Sequence, residues 1–535
     1  MKMKRLTVLC TLFVFLVSIG FAVNVTVNST QPEVAGSNYQ TIGAALTYVK
    51  SQAEPRIVRI TGGGPYSESA GIEIDYSLTM YGDGYKPLII CGPTATAGVA
   101  ASNLSNGIYI FILDTAPADT HIDVVLKNFI VIPDKTNTPT NHGIRCNTDS
   151  TALSATATMS VYLEDVVVTA NDGADNPVTT DGFTPDTAPA GIKRFGNRGI
   201  YLSGHLNDLE TTGIISSWNS VDGCVYTPDD YAGRTLYKTI HIGPGCVFSY
   251  NGRNGLYFYS DGTPVNMNGT ASKPIWVYKN RVPDVWTNWQ GALGVWNDDN
   301  GRPECVHNWK YVYVVGNNET GIHTGYTDNL HSLPELHAEH CFICNNSGAG
   351  IYISDELAGG GTPAGLSEFL RNWTFTNCTI SNNGLAPEAA PRVITGPLSI
   401  TSGAFASPPT GVMTFDDCIL GGKGSAASAG DNTISVQKSN FPALVFNYCG
   451  IVLAGSQALS GFNLVGGSPS PVLNQVIYED PIFVDPTTIT SPNFYGVDSS
   501  NYGGKGSAGS NLSGAGPYLG SVTFLGVNSP WQLYE

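Results

Sequence analysis

The strongest constraint on this chain is a recurring phrase: Gly, an aliphatic residue, a short strand-like run, and then Asn or Asp. It reads NHGIRCNTD at 141–149, NRGIYL at 197–202, DGCVYTPDD at 222–230, NGLYFYSD at 254–261, TGIHTGYTD at 320–328 and AGIYISD at 349–355. Runs this short cannot bury a face alone, so each needs a neighbour above and below. Gly, Asn and Asp supply the corners, and stacked solenoid coils satisfy both needs. A second phrase marks another edge of the coil: VYLEDVVV at 161–168, FTNCTI at 375–380, FDDCIL at 415–420 and FNYCGI at 446–451. Its cysteines fall at one strand position, which predicts inward stacking of small apolar side chains.

The chain starts with a basic stretch, MKMKR, and an apolar run, 6–21, ending near the small residues Gly20 and Ala22. That pattern predicts a signal peptide over 1–22, with the mature protein secreted or at the cell surface and no stable transmembrane segment in it. Cys10 lies in this leader, leaving ten of the 11 cysteines in the exported part. Buried thiols and disulfides are both compatible with export. The Cys341/Cys344 pair has the spacing of half a zinc site but lacks a second pair. With 26 Lys and Arg against 43 Asp and Glu, the formal charge is -17. This argues against nucleic-acid partners and anionic membrane surfaces, and leaves sugars open.

Residues 23–37 are polar and read as a flexible lead-in, with the coil domain expected over 38–478. Within 38–50, Ile42, Ala45, Leu46 and Val49 recur at helical spacing, and a Ser or Thr is available as a cap. A strand at 56–60, a GGGPY turn at 62–66 and LTMYGDG at 78–84 follow. The order YQTIGAAL, strand, Gly-x-Tyr and LTMYGDG resembles the entry to the pectin-lyase-like right-handed parallel β-helix superfamily. The resemblance implies an all-β, right-handed single-stranded parallel β-helix: three parallel sheets, an N-terminal capping helix and long central loops. Continuous aliphatic runs at 106–113 and 122–132 fit strands covered on both faces. Irregular insertions at 170–190, 227–234, 265–290, 297–308 and 326–337 concentrate loops in the middle third, where a binding surface is expected. Residues 479–535 resemble the closing segment that follows many bacterial β-helices.

The candidate chemistry lies at the coil corners. Asp229, Asp230, Asp261, Asp298 and Asp299 are candidate catalytic acids, since two carboxylates at a suitable distance are what glycosidic hydrolysis requires. Clustered carboxylates also suit Ca²⁺, although no cofactor is firmly implied. His323, two residues after Gly321, is a candidate proton-transfer group. Asp and Asn at corners equally make turns by bonding to their own backbone.

Polygalacturonase-like members of the superfamily carry Asn-Thr-Asp, Asp-Asp, Gly-His-Gly and Arg-Ile-Lys in that order. This chain offers Asn147 to Asp149 and Asp229-Asp230, but Gly204-His205 comes before the Asp pair and there is no Arg-Ile-Lys. A pectate-lyase-like reading would use acids for Ca²⁺ and a nearby Arg as base.

Six of the eight tryptophans fall between 218 and 309. Trp218, Trp276, Trp286, Trp289, Trp296 and Trp309, with Tyr257, Tyr259 and Arg253, therefore form the expected substrate-binding set, because flat rings stack on sugar C–H faces. The expected partner is an extracellular polysaccharide, recognised or cleaved along this face; if the protein is an enzyme, the chemistry is that of a polysaccharide hydrolase or lyase. The rival from another class is a noncatalytic surface or adhesion protein, for which a rigid acidic rod is equally suitable. Nine Asn-x-Ser/Thr sequons occur, and the one at Asn377 lies inside the repeated strand phrase, which suggests internal stacking of asparagines.

Overall fold

The computed structural model describes residues 22–62, 64–94, 105–113, 115–135, 140–147, 156–178, 190–204, 206–228, 240–258, 263–280, 293–297, 306–324, 335–353, 372–381, 383–384, 398–404, 411–421, 434–439, 444–452, 462–464, 470–476, 483–485 and 493–496. The chain passes repeatedly through three parallel sheets in one fixed order. Among the described residues, sheet A has fifteen strands, from Val23–Asn28 to Val472–Asn474; sheets B and C have twelve each. One turn of the coil is Leu78–Gly82 in A, Leu88–Cys91 in B and Asn106–Phe111 in C, after which His121–Lys127 pairs back onto Leu78–Gly82. Crossovers between parallel strands are overwhelmingly right-handed, and the coil is a right-handed β-helix. Among the described residues, an antiparallel strand pair outside the coil joins Phe483–Asp485 to Asn493–Gly496.

Each corner has its own chemistry. Sheet A turns into sheet B through one left-handed residue: Asn128, Asp165, Tyr311, His340, Asn377, Asp417 or Tyr448, with φ between 50° and 57°. Asn and Asp tolerate that region best because their side chains bond locally. Asn377 is therefore a corner residue, and the stacked asparagines lie elsewhere. The next residue points inward, and there Cys246, Cys341, Cys378, Cys418 and Cys449 are buried. All nine described cysteines are free, buried thiols. Burial pushes the Cys246 thiol up to about 12, so it stays protonated and inert.

Sheet B turns into sheet C through a second left-handed residue, Trp218, Tyr250, Lys279, Gly316 or Asn345. An asparagine follows each. Asn219, Asn251, Asn280, Asn317, Asn346 and Asn383 form a buried ladder in which each Nδ2 donates to the next Oδ1 at 2.8–3.0 Å. That same Oδ1 also accepts the backbone N–H of the preceding rung, at 3.0–3.2 Å. The ladder explains the Gly in the opening phrase. A Cβ at Gly255 would sit 2.6 Å from Asn280 Nδ2, and one at Gly321 would sit 2.7 Å from Asn346 Nδ2. Only a residue without a side chain fits where sheet C begins.

The first coil is closed by helix α1, Ile42–Lys50, which buries Ile42, Ala45, Leu46 and Val49. Thr41 Oγ1 caps it by accepting from Ala44 N, and Glu68 adds a second cap from Tyr66–Glu68: its two oxygens accept from Ile42 N at 2.7 Å and Gly43 N at 3.2 Å. Burial raises the Glu68 pKa above the ordinary carboxyl value, opposed by those two N–H bonds. Glu68→Ala strips both acceptors and is expected to cost about 1–2 kcal/mol. The loss would be read as a lower urea midpoint and faster amide exchange over Ile42–Lys50; unchanged exchange there would refute the cap.

The lead-in differs from expectation. Val23–Asn28 is a strand, paired in parallel with Arg56–Gly62 and with Asn38–Tyr39. Val25 and Val27 alternate into the core at 0% exposure, so the V-N-V-T-V-N pattern is a period-two strand signal that its polar half masks.

Candidate functional site

The outer face of sheet C carries a column of ring-bearing and charged side chains, of which Tyr201 and Tyr257 are half-buried and Tyr109, Arg145, Val225, His323 and Tyr352 are buried. In its strands, Ile108 and Ile110, Ile144 and Cys146, Ile200 and Leu202, Leu256 and Phe258, and Ile351 and Ile353 belong to the central core. By strand alternation, the residue between each pair faces outward. Register places these residues in one continuous column: Tyr109, Arg145, Tyr201, Val225, Tyr257, Trp296, His323 and Tyr352. Each lies two residues after the Gly of its coil. The sequence therefore held a signal for the whole column, but one visible only once Gly is known to fix the register.

The His323 ring stacks on Tyr352 with centroids 4.8 Å apart and planes 24° apart, and the Arg253 guanidinium carbon lies 5.9 Å from the Tyr257 ring centre. At the N-terminal end, Arg145 and Arg198 approach the Tyr201 ring to 5.1 Å and 4.4 Å, and the His142 ring stacks on it at 5.2 Å. Arg198 Nε also meets Asp222 Oδ2 at 3.3 Å, and Asn254 Nδ2 donates to Asp222 Oδ1 at 2.8 Å. His142 is held well below the usual imidazole pKa, first by burial and then by the charges of Arg145 and Arg198. It is neutral near pH 7.

The expected site residues divide into three groups. Tyr257, Trp296 and His323 come together on consecutive coils of the column, with Arg253 beside Tyr257. Three tryptophans lie on other faces. Trp218, at a corner between sheets B and C, is 0% exposed and stacks flat on Tyr250 at 4.6 Å. Trp309 points from sheet A into the central core at 3% exposure. Both are taken up by packing and leave the stacking surface. Trp276 is half-buried on the outside of sheet B, edge-on to Tyr313 at 5.0 Å.

The third group lies outside the described residues: Asp229, Asp230, Asp261, Asp298, Asp299, Tyr259, Trp286 and Trp289. Among the described residues, no group of three or more His, Cys, Asp and Glu is arranged to hold a metal ion. Among them also, no helix is long and apolar enough to cross a membrane. The sequence reading did not include Tyr109, Arg145, Tyr201 and Tyr352, which lie two residues after a Gly, nor His142 and Arg198, which lie one residue before one.

No protein-family model matches the chain, and no curated protein does. Among solved structures, it is similar to the A-module of mannuronan C-5 epimerase AlgE6 from Azotobacter vinelandii, with 9% identity and a TM-score of 0.32, over 84% of this chain and 98% of that one. It is also similar to DFA-IIIase from Arthrobacter chlorophenolicus A6, solved in complex with DFA-III, with 13% identity and a TM-score of 0.35, over 77% of this chain and 98% of that one. Three parallel sheets visited in one repeating order give the chain the architecture of a right-handed parallel β-helix.

Proposed function

We propose that the protein is exported and that it binds and cleaves an extracellular polysaccharide along the outer face of sheet C. The observation that carries this reading is the strand register that puts Tyr257, Trp296, His323 and Tyr352 at the same position on consecutive coils. Adjacent strands repeat about every 4.8 Å. A row of ring-bearing residues at that interval suits an extended chain of sugars, whose C–H faces stack while their hydroxyls bond to flanking polar groups.

In sequence, the candidate acids follow strands of the same sheet. Asp229 and Asp230 directly follow the strand Cys224–Pro228, Asp261 comes three residues after Leu256–Phe258, and Asp298 and Asp299 directly follow Leu293–Asn297. All three strands belong to sheet C. Acids leaving one end of neighbouring strands are in the right part of the chain to flank a glycosidic bond held on the column. In hydrolysis one would protonate the leaving oxygen, and the other would attack or activate water. His323 is a second proton carrier within the column.

The test uses purified protein, a panel of plant, algal and bacterial glycans, and assays for reducing ends and unsaturated products. Tyr257→Ala is expected to weaken glycan binding about tenfold, the effect of losing one stacked ring. His323→Ala is expected to lower turnover about a hundredfold, beyond the loss of binding that removing one ring of the column brings. Failure of every glycan to bind or be cleaved would sink the proposal, as would variants indistinguishable from the parent.

A further inference from the structure

Sheet A carries a different constellation on its outer face. In Glu335–Glu339, Leu336 and Ala338 belong to the central core, and in Trp373–Thr376 so do Trp373 and Phe375. Strand alternation therefore turns Glu335, His337 and Thr374 outward, and register sets His337 beside Thr374 on the next coil. His337 Nδ1 lies 2.6 Å from Thr374 Oγ1, and His337 Nε2 lies 2.7 Å from Glu335 Oε1. A carboxylate only accepts, so Nε2 carries the ring proton and Nδ1 accepts from the threonine hydroxyl. Hydroxyl, imidazole and carboxylate thus form one chain, with both links at the lengths that join a nucleophile to its base and the base to the group that orients it.

The chain is within reach of solvent. The His337 and Glu335 side chains are 40% and 26% exposed, and Thr374 is half-buried. Polar pairs exposed to this degree add little to stability, so packing does not account for the arrangement. On the far side of Thr374, register places Thr414 one strand spacing away, about 4.8 Å. Among the described residues the Thr414 hydroxyl has no hydrogen-bond partner, which leaves it able to donate to negative charge developing on an oxygen held at Thr374. His121 shows a looser version of the same chain. Its Nδ1 lies 2.8 Å from Thr158 Oγ1 and its Nε2 3.1 Å from Asp123 Oδ1, but Nε2 also faces Ser160 Oγ at 3.5 Å and the Asp123 side chain is 58% exposed.

We infer that Thr374, His337 and Glu335 form a second reactive centre, an acyl-transfer site that hydrolyses uncharged carboxylic esters through an acyl-threonine. Thr374 Oγ1 attacks the ester carbonyl carbon while His337 Nδ1 takes its proton. The bond to the alcohol oxygen then breaks, and that oxygen leaves with the proton from His337. Water, deprotonated by His337, attacks the acyl-threonine and releases the acid, and the proton returns to Thr374 Oγ1. Glu335 holds the ring in the correct tautomer and balances the imidazolium, as a positioning residue. Its carboxylate, in a chain of formal charge -17, disfavours anionic esters. This centre lies on sheet A and does not depend on the glycan face of sheet C.

The probe is 4-nitrophenyl acetate. The purified full chain is expected to release 4-nitrophenol over many turnovers and, quenched in acid, to carry an acetyl group on Thr374 when its peptides are weighed, a readout that needs no variant to fold. Thr374→Val keeps the side-chain shape and should remove the adduct and lower turnover about a hundredfold or more, whereas Thr374→Ser should keep both. Glu335→Gln should lower kcat about tenfold or more with KM little changed. Circular dichroism verifies that each variant is folded. Acetylation of lysines alone without turnover, an adduct on Thr158 instead of Thr374, or a folded Thr374→Val as active as the parent would each overturn the centre while leaving the glycan proposal standing.

Discussion

Asn317→Ala is expected to lower the stability of the protein by about 3–5 kcal/mol, the range in which a buried polar network is broken rather than trimmed. Asn317 sits in the middle of the ladder at 1% exposure. Its Nδ2 donates to Asn346 Oδ1 at 2.9 Å and to Val277 O at 3.1 Å, while its Oδ1 accepts from Asn280 Nδ2 at 2.9 Å and Asn280 N at 3.1 Å. Alanine removes all four bonds and leaves the Asn280 backbone N–H without its acceptor in a site too tight to rearrange. Asn317→Asp makes a stricter comparison. It preserves shape but replaces the donor by a buried carboxylate, so its loss should be at least as large at neutral pH. Urea unfolding followed by circular dichroism gives both numbers. A cost below about 1 kcal/mol for Asn317→Ala would show that the ladder is ornamental. Because coils stabilise one another mainly through nearest neighbours, amide exchange should accelerate most in Ile275–Tyr278, Val312–Val315 and Phe342–Cys344.

Phe415→Ala should cost a similar amount through a different mechanism. Phe375, Phe415 and Phe446 occupy the same inward position on three successive strands of sheet A, with ring centroids 5.0 Å apart in both pairs and planes within 11° and 7° of parallel. All three are fully buried. Removing the central ring loses its transfer free energy, opens a cavity between two rings that cannot close together, and breaks both stacks, for about 3–5 kcal/mol. Phe415→Leu refills most of the volume and should cost about 1.5 kcal/mol or less. The contrast between the two variants is the diagnostic. Equal losses would mean that ring stacking, rather than volume, dominates. Negligible loss for alanine would mean that these coils are not packed as described.

Much of the fold was legible because it follows from local chemistry. Gly before an aliphatic residue, left-handed corner residues such as Asn128 and Asp165, and Ile42, Ala45, Leu46 and Val49 at helical spacing each act within a few positions of themselves. The resemblance at the N-terminal entry then assembled these pieces into a coil. Interactions between coils were not legible. The second cap of α1 comes from Glu68, 26 residues beyond Ile42. Asparagine stacking was expected at Asn377, but the rungs themselves were not found, because Asn is common in this chain and they are unevenly spaced. For the site, composition drew attention to tryptophans, yet Trp218 and Trp309 serve packing. The informative variable was position relative to Gly: it selects Tyr257, Trp296 and His323 and also adds Tyr109, Arg145, Tyr201 and Tyr352.

The uneven spacing of the ladder has a consequence for how such a protein can change. Successive rungs are 32, 29, 37, 29 and 37 residues apart, yet every amide-to-amide bond stays within 2.8–3.0 Å. Length added to a coil between rungs is absorbed outside the frame, so the frame does not register it. Segments leaving sheet C can therefore be lengthened, shortened or exchanged one coil at a time while the scaffold that presents the column stays fixed. A lineage built on this frame can revise what it recognises by rewriting loops, with selection on stability largely confined to the rungs, the corner residues and the glycines beneath which the rungs lie.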